Sequence, residues 1–199
     1  NHNYLLDIPL FSKILSLDLN NNIQPSTEQE QNKIFDYIFL CFFLGNDFLP
    51  HFPALNIRTN GINHLMNSYV SILGNKNINI LDNSDNNKRI IWRNLRKLIQ
   101  FLSENELNFL KEEYKLRSKL SKNVYNRSGE LEEDLMMIPI KNREVEIYIN
   151  PFEIGWEKRY YKELFDITID ENSKKQICMN YLEGLEWTIK YYSGDCIDW

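Results

Sequence analysis

The stretch IFLCFFLGNDFLPHFPAL, residues 38–55, is apolar for about two helical turns, stops at Gly-Asn-Asp, and then resumes between prolines. An ionised carboxylate buried beside so much hydrocarbon costs several kcal/mol unless it is paired. Asp47 therefore needs water, a backbone cap to make, or a cation. The run that leads to it, Lys33 to Leu44, is long enough for three helical turns and apolar on nearly every side after Asp36, which predicts a helix buried all round. Gly45 suits the end of that helix because it tolerates positive φ. Pro50 and Pro53 then stiffen the segment that follows.

Working outward, Pro9 predicts a helix opening after an extended start, since the first turn does not need its missing N–H. Either Ser26 or Thr27 is placed to cap the helix that follows LNNNIQP. Residues 61–73 return to helical spacing through Ile62, Leu65, Met66, Tyr69, Val70 and Leu73. After an Asn-rich loop, Ile91, Leu95, Leu98, Ile99 and Leu102 fall on one helical face. Ser103 and Glu106 then spell a capping box that predicts a second helix and hence a helical hairpin. REVEIYI, residues 143–149, reads as a short strand or extended linker. In the last third, NPFEIGWEKRYYKELF and SKKQICMNYLEGLEWTIKYYSG read as helices, the first opening at Pro151 and the second ending at Gly194.

The fold class this gives is mainly α, one helical domain over residues 1–199 with little sheet of its own. Residues 1–75 hold the Gly-Asn-Asp element, 76–150 the hairpin and a variable loop, and 151–199 the aromatic-rich helices.

The 199 residues carry a net charge of −5, so no global field draws in polyanions and any nucleic-acid contact is local. The longest apolar run, Tyr37 to Leu44, falls short of the ~20 residues that a membrane span needs. Cys41, Cys178 and Cys196 are odd in number and form no C-x-x-C pair, which speaks against a disulfide framework or a zinc site and for a reducing compartment. The start, NHNYLLDIPL, has neither an initiator Met nor the pattern of a signal peptide, and reads as an internal piece of a longer protein. His2, His51 and His64 are scattered, and no phosphate-binding glycine loop appears. The local sequence by itself leaves Asp47 as a cap or a ligand.

The block DYIFLCFFLGNDFLPHFPALNIRTNGINHL resembles the 5′-to-3′ exoribonuclease, or Xrn, family, which carries Gly-Asn-Asp-Phe-Leu-Pro-His followed by Leu-x-Ile-Arg. Two later blocks resemble the same family in the same order: GWEKRYYKELFDI and CMNYLEGLEWTIKYYSGDCIDW. The resemblance implies a helical segment packed onto a PIN-like, flap-endonuclease-like α/β nuclease core formed by an upstream catalytic half of the same chain. It implies hydrolysis of single-stranded RNA bearing a 5′-monophosphate, processively and with Mg²⁺ or Mn²⁺, in the cytoplasm or the nucleus, without a membrane. It makes Asp47 a metal ligand and catalytic residue.

Asn46 and His51 match the same motif and could meet the scissile region or a bound water, although a histidine between two prolines also serves as a loop brace. Arg58 could meet a phosphate or pair with a carboxylate. Asp36 matches the block too, but eleven residues of helix put it about 16 Å from Asp47, so it reads as structural. Trp156, Tyr160, Tyr161, Trp187, Tyr191, Tyr192 and Trp199 read as core at helical spacing, with base-stacking platforms as the rival. Arg96 and the run Lys115 to Lys122 read as solvated faces.

The chain departs from the family in having Tyr37 where Trp is usual and in a short central region. The family's other acidic ligands and its 5′-phosphate pocket belong to a part outside these residues, so the piece alone is expected to be inactive. The rival reading is a non-catalytic helical scaffold or RNA-binding module that keeps the fold.

Overall fold

The computed structural model describes residues 5–84, 88–122 and 129–194. It is mainly helical, in two compact units: residues 1–105 with 179–199, and residues 106–178. His2, Cys196 and Trp199 lie outside the described residues.

In the first unit, α1 (Ile8–Leu19) is capped by the Asp7 side chain, which accepts from the Leu10 N–H, and it carries Pro9 in its first turn. Helix α2 (Thr27–Cys41) opens with a full capping box. The Ser26 hydroxyl accepts from the Gln29 N–H while the Gln29 side chain accepts from the Ser26 N–H. A single 3-10 turn, Phe42–Leu44, extends α2 to Gly45. α3 (Gly61–Ile72) follows, then two two-residue antiparallel strands, β1 (Leu81–Asp82) and β2 (Arg89–Ile90), with Leu81 opposite Ile90. α1 packs on α2 and α3, and α2 packs on β1.

The expectation that α2 is buried on every side does not hold. Its buried residues are Lys33, Asp36, Phe39 and Leu40, one stripe at three- and four-residue spacing, and Ile38 is 37% exposed. The core of this unit gathers Leu19, Phe39, Leu40, Phe43, Leu65, Tyr69, Ile80, Leu95, Leu98, Leu185 and Ile189. Among the described residues, two ionisable side chains that carry charge, Lys33 and Asp36, are sunk into it. Tyr69 donates to the Asp36 carboxylate, which also accepts from the Ile80 and Leu81 N–H groups, and the Lys33 ammonium donates to the Tyr69 hydroxyl and the Ile78 carbonyl. Asp36 thus ties α2 to α3 and β1 and is structural.

The predicted helical hairpin is a single helix, α4 (Trp92–Lys122). Ser103 sits within it and donates to the Gln100 carbonyl rather than capping a new start. In a helix interior a serine bonds back to its own preceding turn, so the capping-box spelling carries no break here.

The second unit holds the short helices α5 (Leu131–Met136), α6 (Ile138–Lys141) and α7 (Glu144–Ile149), then α8 (Trp156–Phe165). REVEIYI is therefore a helical turn and not a strand. Its Glu146 reaches two arginines, Arg117 and Arg143, which a strand's alternation would not predict. Pro151 lies in the turn between α7 and α8 and opens no helix; α8 starts at Trp156 after Gly155, at φ +81°. The last helix, α9 (Glu171–Tyr192), ends two residues before Gly194.

Candidate functional site

The segment from Gly45 to Phe52 is the surface turn that α2 delivers. Gly45 has φ +93°, and a Cβ there would lie 3.3 Å from the backbone N and the Cβ of His51. That conformation suits glycine, and the close approach lets the chain fold back on itself. The Asn46 N–H donates to the Leu49 carbonyl at 3.0 Å, and the Phe52 N–H donates to the Phe43 carbonyl at 2.9 Å. Inside the loop, the Asn46 side-chain oxygen accepts from the Phe48 and Leu49 N–H groups, both at 2.9 Å. This is an Asx turn, the local alternative to regular structure that Asn side chains favour.

One face of α9 supports the turn. Gly184 leaves room for Leu49, the Tyr181 hydroxyl donates to the Pro50 carbonyl at 3.2 Å, and the Phe52 ring lies against Tyr181. Phe48 stands edge-on to Trp187 and Tyr191, whose rings stack on each other at 5.2 Å. Phe42 stacks on Tyr192.

These contacts correct the expectation that the aromatic blocks form core. Trp187 is only part-buried, and Tyr191 and Tyr192 are 42% and 53% exposed, while the buried positions of α9 are Leu185, Thr188 and Ile189. The rings flank that stripe and pack on one another. In the second unit Trp156, Tyr160 and Tyr161 are likewise part-buried, with Tyr160 and Tyr161 in edge contact.

Asp47 sits at the apex of the turn. It is exposed, and among the described residues its carboxylate has no hydrogen bond or ion pair, so it is not a cap. The capping belongs to its neighbour Asn46. Asn46 turns its side chain inward, and its Nδ2 is buried without a partner. His51 is exposed and its Nδ1 meets the Phe52 carbonyl at 2.7 Å, the brace geometry. Arg58 is exposed; its N–H donates to the Asn56 side chain, and its guanidinium pairs with no carboxylate among the described residues. The turn thus brings Asn46, Asp47 and His51 together, whereas Arg58 lies beyond it.

The described residues contain no group of three or more His, Cys, Asp or Glu side chains that could hold a metal ion. The exposed carboxylate of Asp47 offers the oxygen donor type that a hard cation takes. No described helix is long and apolar enough to cross a membrane.

In the second unit a groove is lined by Tyr114, Lys115, Arg143, Glu146, Ile147 and Phe152. Its arginine is already engaged, by Glu146 and the Tyr114 carbonyl. Arg117, expected on a solvated face, is held by Glu146 with its side chain only 19% exposed. Arg159 is a residue that sequence reasoning passed over. Its guanidinium donates to five carbonyls, those of Tyr148, Ile149, Asn150, Glu153 and Ile154. Its sequence signal was its place in the GWEKRYYKELFDI block, which gives no partner.

The chain matches the sequence model of one family, described as the Xrn1 helical domain, over residues 28–147 and 142–199. It is similar to the 5′-3′ exoribonuclease 2 homolog of Drosophila melanogaster, 23% identical over 82% of this chain and 22% of that protein. It is also similar to the 5′-3′ exoribonuclease 2 of Gallus gallus, 25% identical over 88% of this chain and 25% of that protein. A shorter stretch, 31% of this chain and 6% of the relative, is 46% identical to 5′-3′ exoribonuclease 2 of Chaetomium globosum. The chain spans about a quarter of the length of the first two of these relatives.

Proposed function

This chain belongs to the Xrn1 helical domain family, and from that premise we propose that it is the middle helical part of a 5′-to-3′ exoribonuclease. The whole protein would remove nucleotides processively from single-stranded RNA with a 5′-monophosphate. In this reading the helices pack onto a PIN-like catalytic half of the same chain, which supplies the remaining acidic ligands. The observation that carries the reading is Asp47: an exposed carboxylate, unpaired among the described residues, on a turn fixed from inside by Asn46 and from outside by α9.

Asp47 would share Mg²⁺ or Mn²⁺ with those other acids. Divalent ions at such a site activate a water and stabilise charge on the phosphate and the leaving oxygen. The part played by this chain is to hold one ligand oxygen in place. His51 braces the loop by closing onto the Phe52 carbonyl. Arg58, whose guanidinium has no carboxylate partner among the described residues, is available to a backbone phosphate. One carboxylate does not hold a catalytic pair of ions, so the 199 residues alone are inactive. The thiols of Cys41 and Cys178 are unpaired, which suits a reducing setting, cytoplasmic or nuclear.

The test is trimming of a 5′-monophosphorylated single-stranded RNA, against a 5′-hydroxyl control, by the full-length protein and its Asp47→Ala variant in Mg²⁺. The expected result is selective trimming by the parent and a loss of about a hundredfold in the variant, the scale seen when a ligand or its support is removed. Equal rates would remove Asp47 from the site. Failure of both proteins to cut would leave a scaffold that keeps the fold without the activity.

A further inference from the structure

We infer that Asn46 is the positioning residue for Asp47: its part-buried side chain closes the turn that aims the carboxylate, and it does not touch substrate. This inference rests on the reading of Asp47 as a metal ligand. The side-chain oxygen of Asn46 is committed to two backbone donors, the Phe48 and Leu49 N–H groups, at 2.9 Å each. Those bonds also fix which end of the amide is which, since only oxygen can accept from an N–H. Its other end, Nδ2, is buried. The amide thus has its oxygen bonded to the backbone and its nitrogen buried.

The same residue closes the turn a third time through its backbone N–H, which donates to the Leu49 carbonyl. Asp47 is therefore the one residue spanned by three hydrogen bonds, all made by the residue before it to the two residues after it. Leu49, which donates in one of them and accepts in another, is buried, so the turn is anchored to the body of the unit. Asp47 itself makes none of these bonds and is exposed.

A carboxylate with no bonds of its own depends on its backbone for direction. A ligand misplaced by about 1 Å forfeits much of its worth.

The experiment uses the full-length protein as parent, Asn46→Ala, Asn46→Asp and Asp47→Ala. Aspartate keeps the accepting oxygen and loses the orphaned donor; alanine loses both. Three readouts are taken: hydrogen exchange of the Phe48 and Leu49 amides, Mn²⁺ binding by electron paramagnetic resonance, and RNA trimming against Mn²⁺ concentration.

Asn46→Ala is expected to speed exchange at those two amides about fivefold or more, the scale of one lost hydrogen bond. It should raise the half-saturating Mn²⁺ concentration about tenfold or more, as loss of a ligand's support does, with the trimming rate recovering at high Mn²⁺. Asn46→Asp should restore exchange and metal affinity to near the parent's values. Faster exchange with unchanged Mn²⁺ binding in Asn46→Ala overturns the proposal. So does a loss of RNA affinity at unchanged Mn²⁺ affinity in both Asn46 variants, which would make Asn46 a substrate contact. Parent-like Mn²⁺ binding in Asp47→Ala overturns the ligand reading itself; reduced binding there, with Asn46→Ala like the parent, overturns only the positioning role.

Discussion

Tyr69 donates its hydroxyl hydrogen to the Asp36 carboxylate at 2.5 Å, and both residues are wholly buried. The pair joins α2 to α3, while the remaining acceptor capacity of Asp36 holds the Ile80 and Leu81 N–H groups. Replacing Asp36 by alanine strands those two donors, takes the acceptor from the Tyr69 hydroxyl and removes the charge that faces the Lys33 ammonium. Breaking a buried charged network from one side costs about 3–5 kcal/mol. Tyr69→Phe removes one bond and spares the others, so about 1–3 kcal/mol is expected. Urea denaturation of both variants checks the order, with Asp36→Ala the more damaged.

Stability should depend on pH through the same carboxyl. Burial pushes Asp36 up from 3.8 to about 6, against the downward pull of the hydrogen bonds from Tyr69, Ile80 and Leu81 and of the Lys33 charge. The native state thus takes up a proton at a higher pH than the unfolded chain. This group's contribution to stability rises as pH falls from about 6 towards 4, with a limiting slope of about 1.4 kcal/mol per pH unit. It is level below about 4 and above about 6. Denaturation midpoints of the parent and Asp36→Asn across pH 4 to 7 check this, and the difference in slope should vanish outside that window.

Gly184 and Leu49 are a size-matched pair across the supported turn. A Cβ at Gly184 would stand 2.7 Å from Leu49 Cδ2. Gly184→Ala gains up to about 1 kcal/mol of helix propensity and incurs about 1–3 kcal/mol of overpacking. The expected result is a net loss of up to about 2 kcal/mol, with faster amide exchange in residues 46–50 because Leu49 must move. Combining Gly184→Ala with Leu49→Ala should give a smaller loss than the sum of the two singles, by about 1 kcal/mol. Additive effects in the cycle would separate the pair.

What the sequence disclosed follows from the range of the interactions involved. Helix starts at Pro9 and Ser26 are local chemistry, settled within four residues, and both stand in the structure. Asp36 was read as structural from the rise of an expected continuous helix, although α2 ends at Cys41, and the partners that hold it were not legible. The burial of α2 was overestimated because a run apolar all round does not say which side meets solvent. Ser103 misled for the converse reason: a capping box is a sequence pattern that an uninterrupted helix also tolerates. At the candidate site, the turn and its exposed carboxylate were visible in Gly-Asn-Asp. The inward Asn46 amide and the seat on α9 were not, since Tyr181 lies more than a hundred residues from Pro50 in sequence.

Arg159 carries the last prediction. It stands in α8, and its guanidinium collects carbonyl oxygens from the end of α7 and from the turn that follows, between 2.9 and 3.3 Å. That turn includes Asn150, at φ +43°, and ends at Gly155; within it the Asn150 carbonyl also accepts from the Glu153 N–H. A planar fork of five N–H donors can serve several oxygens at once; an ammonium on a flexible stem cannot. Arg159→Lys should therefore behave as a loss and not as a conservative change. Leaving several carbonyls short of a charged donor is expected to cost about 2–3 kcal/mol. The damage should concentrate in the second unit, where protease cutting and amide exchange across residues 148–155 rise well before those of α2 and α3 change. If Arg159→Lys matches the parent in both measurements, the turn is held by its own backbone and the guanidinium is incidental.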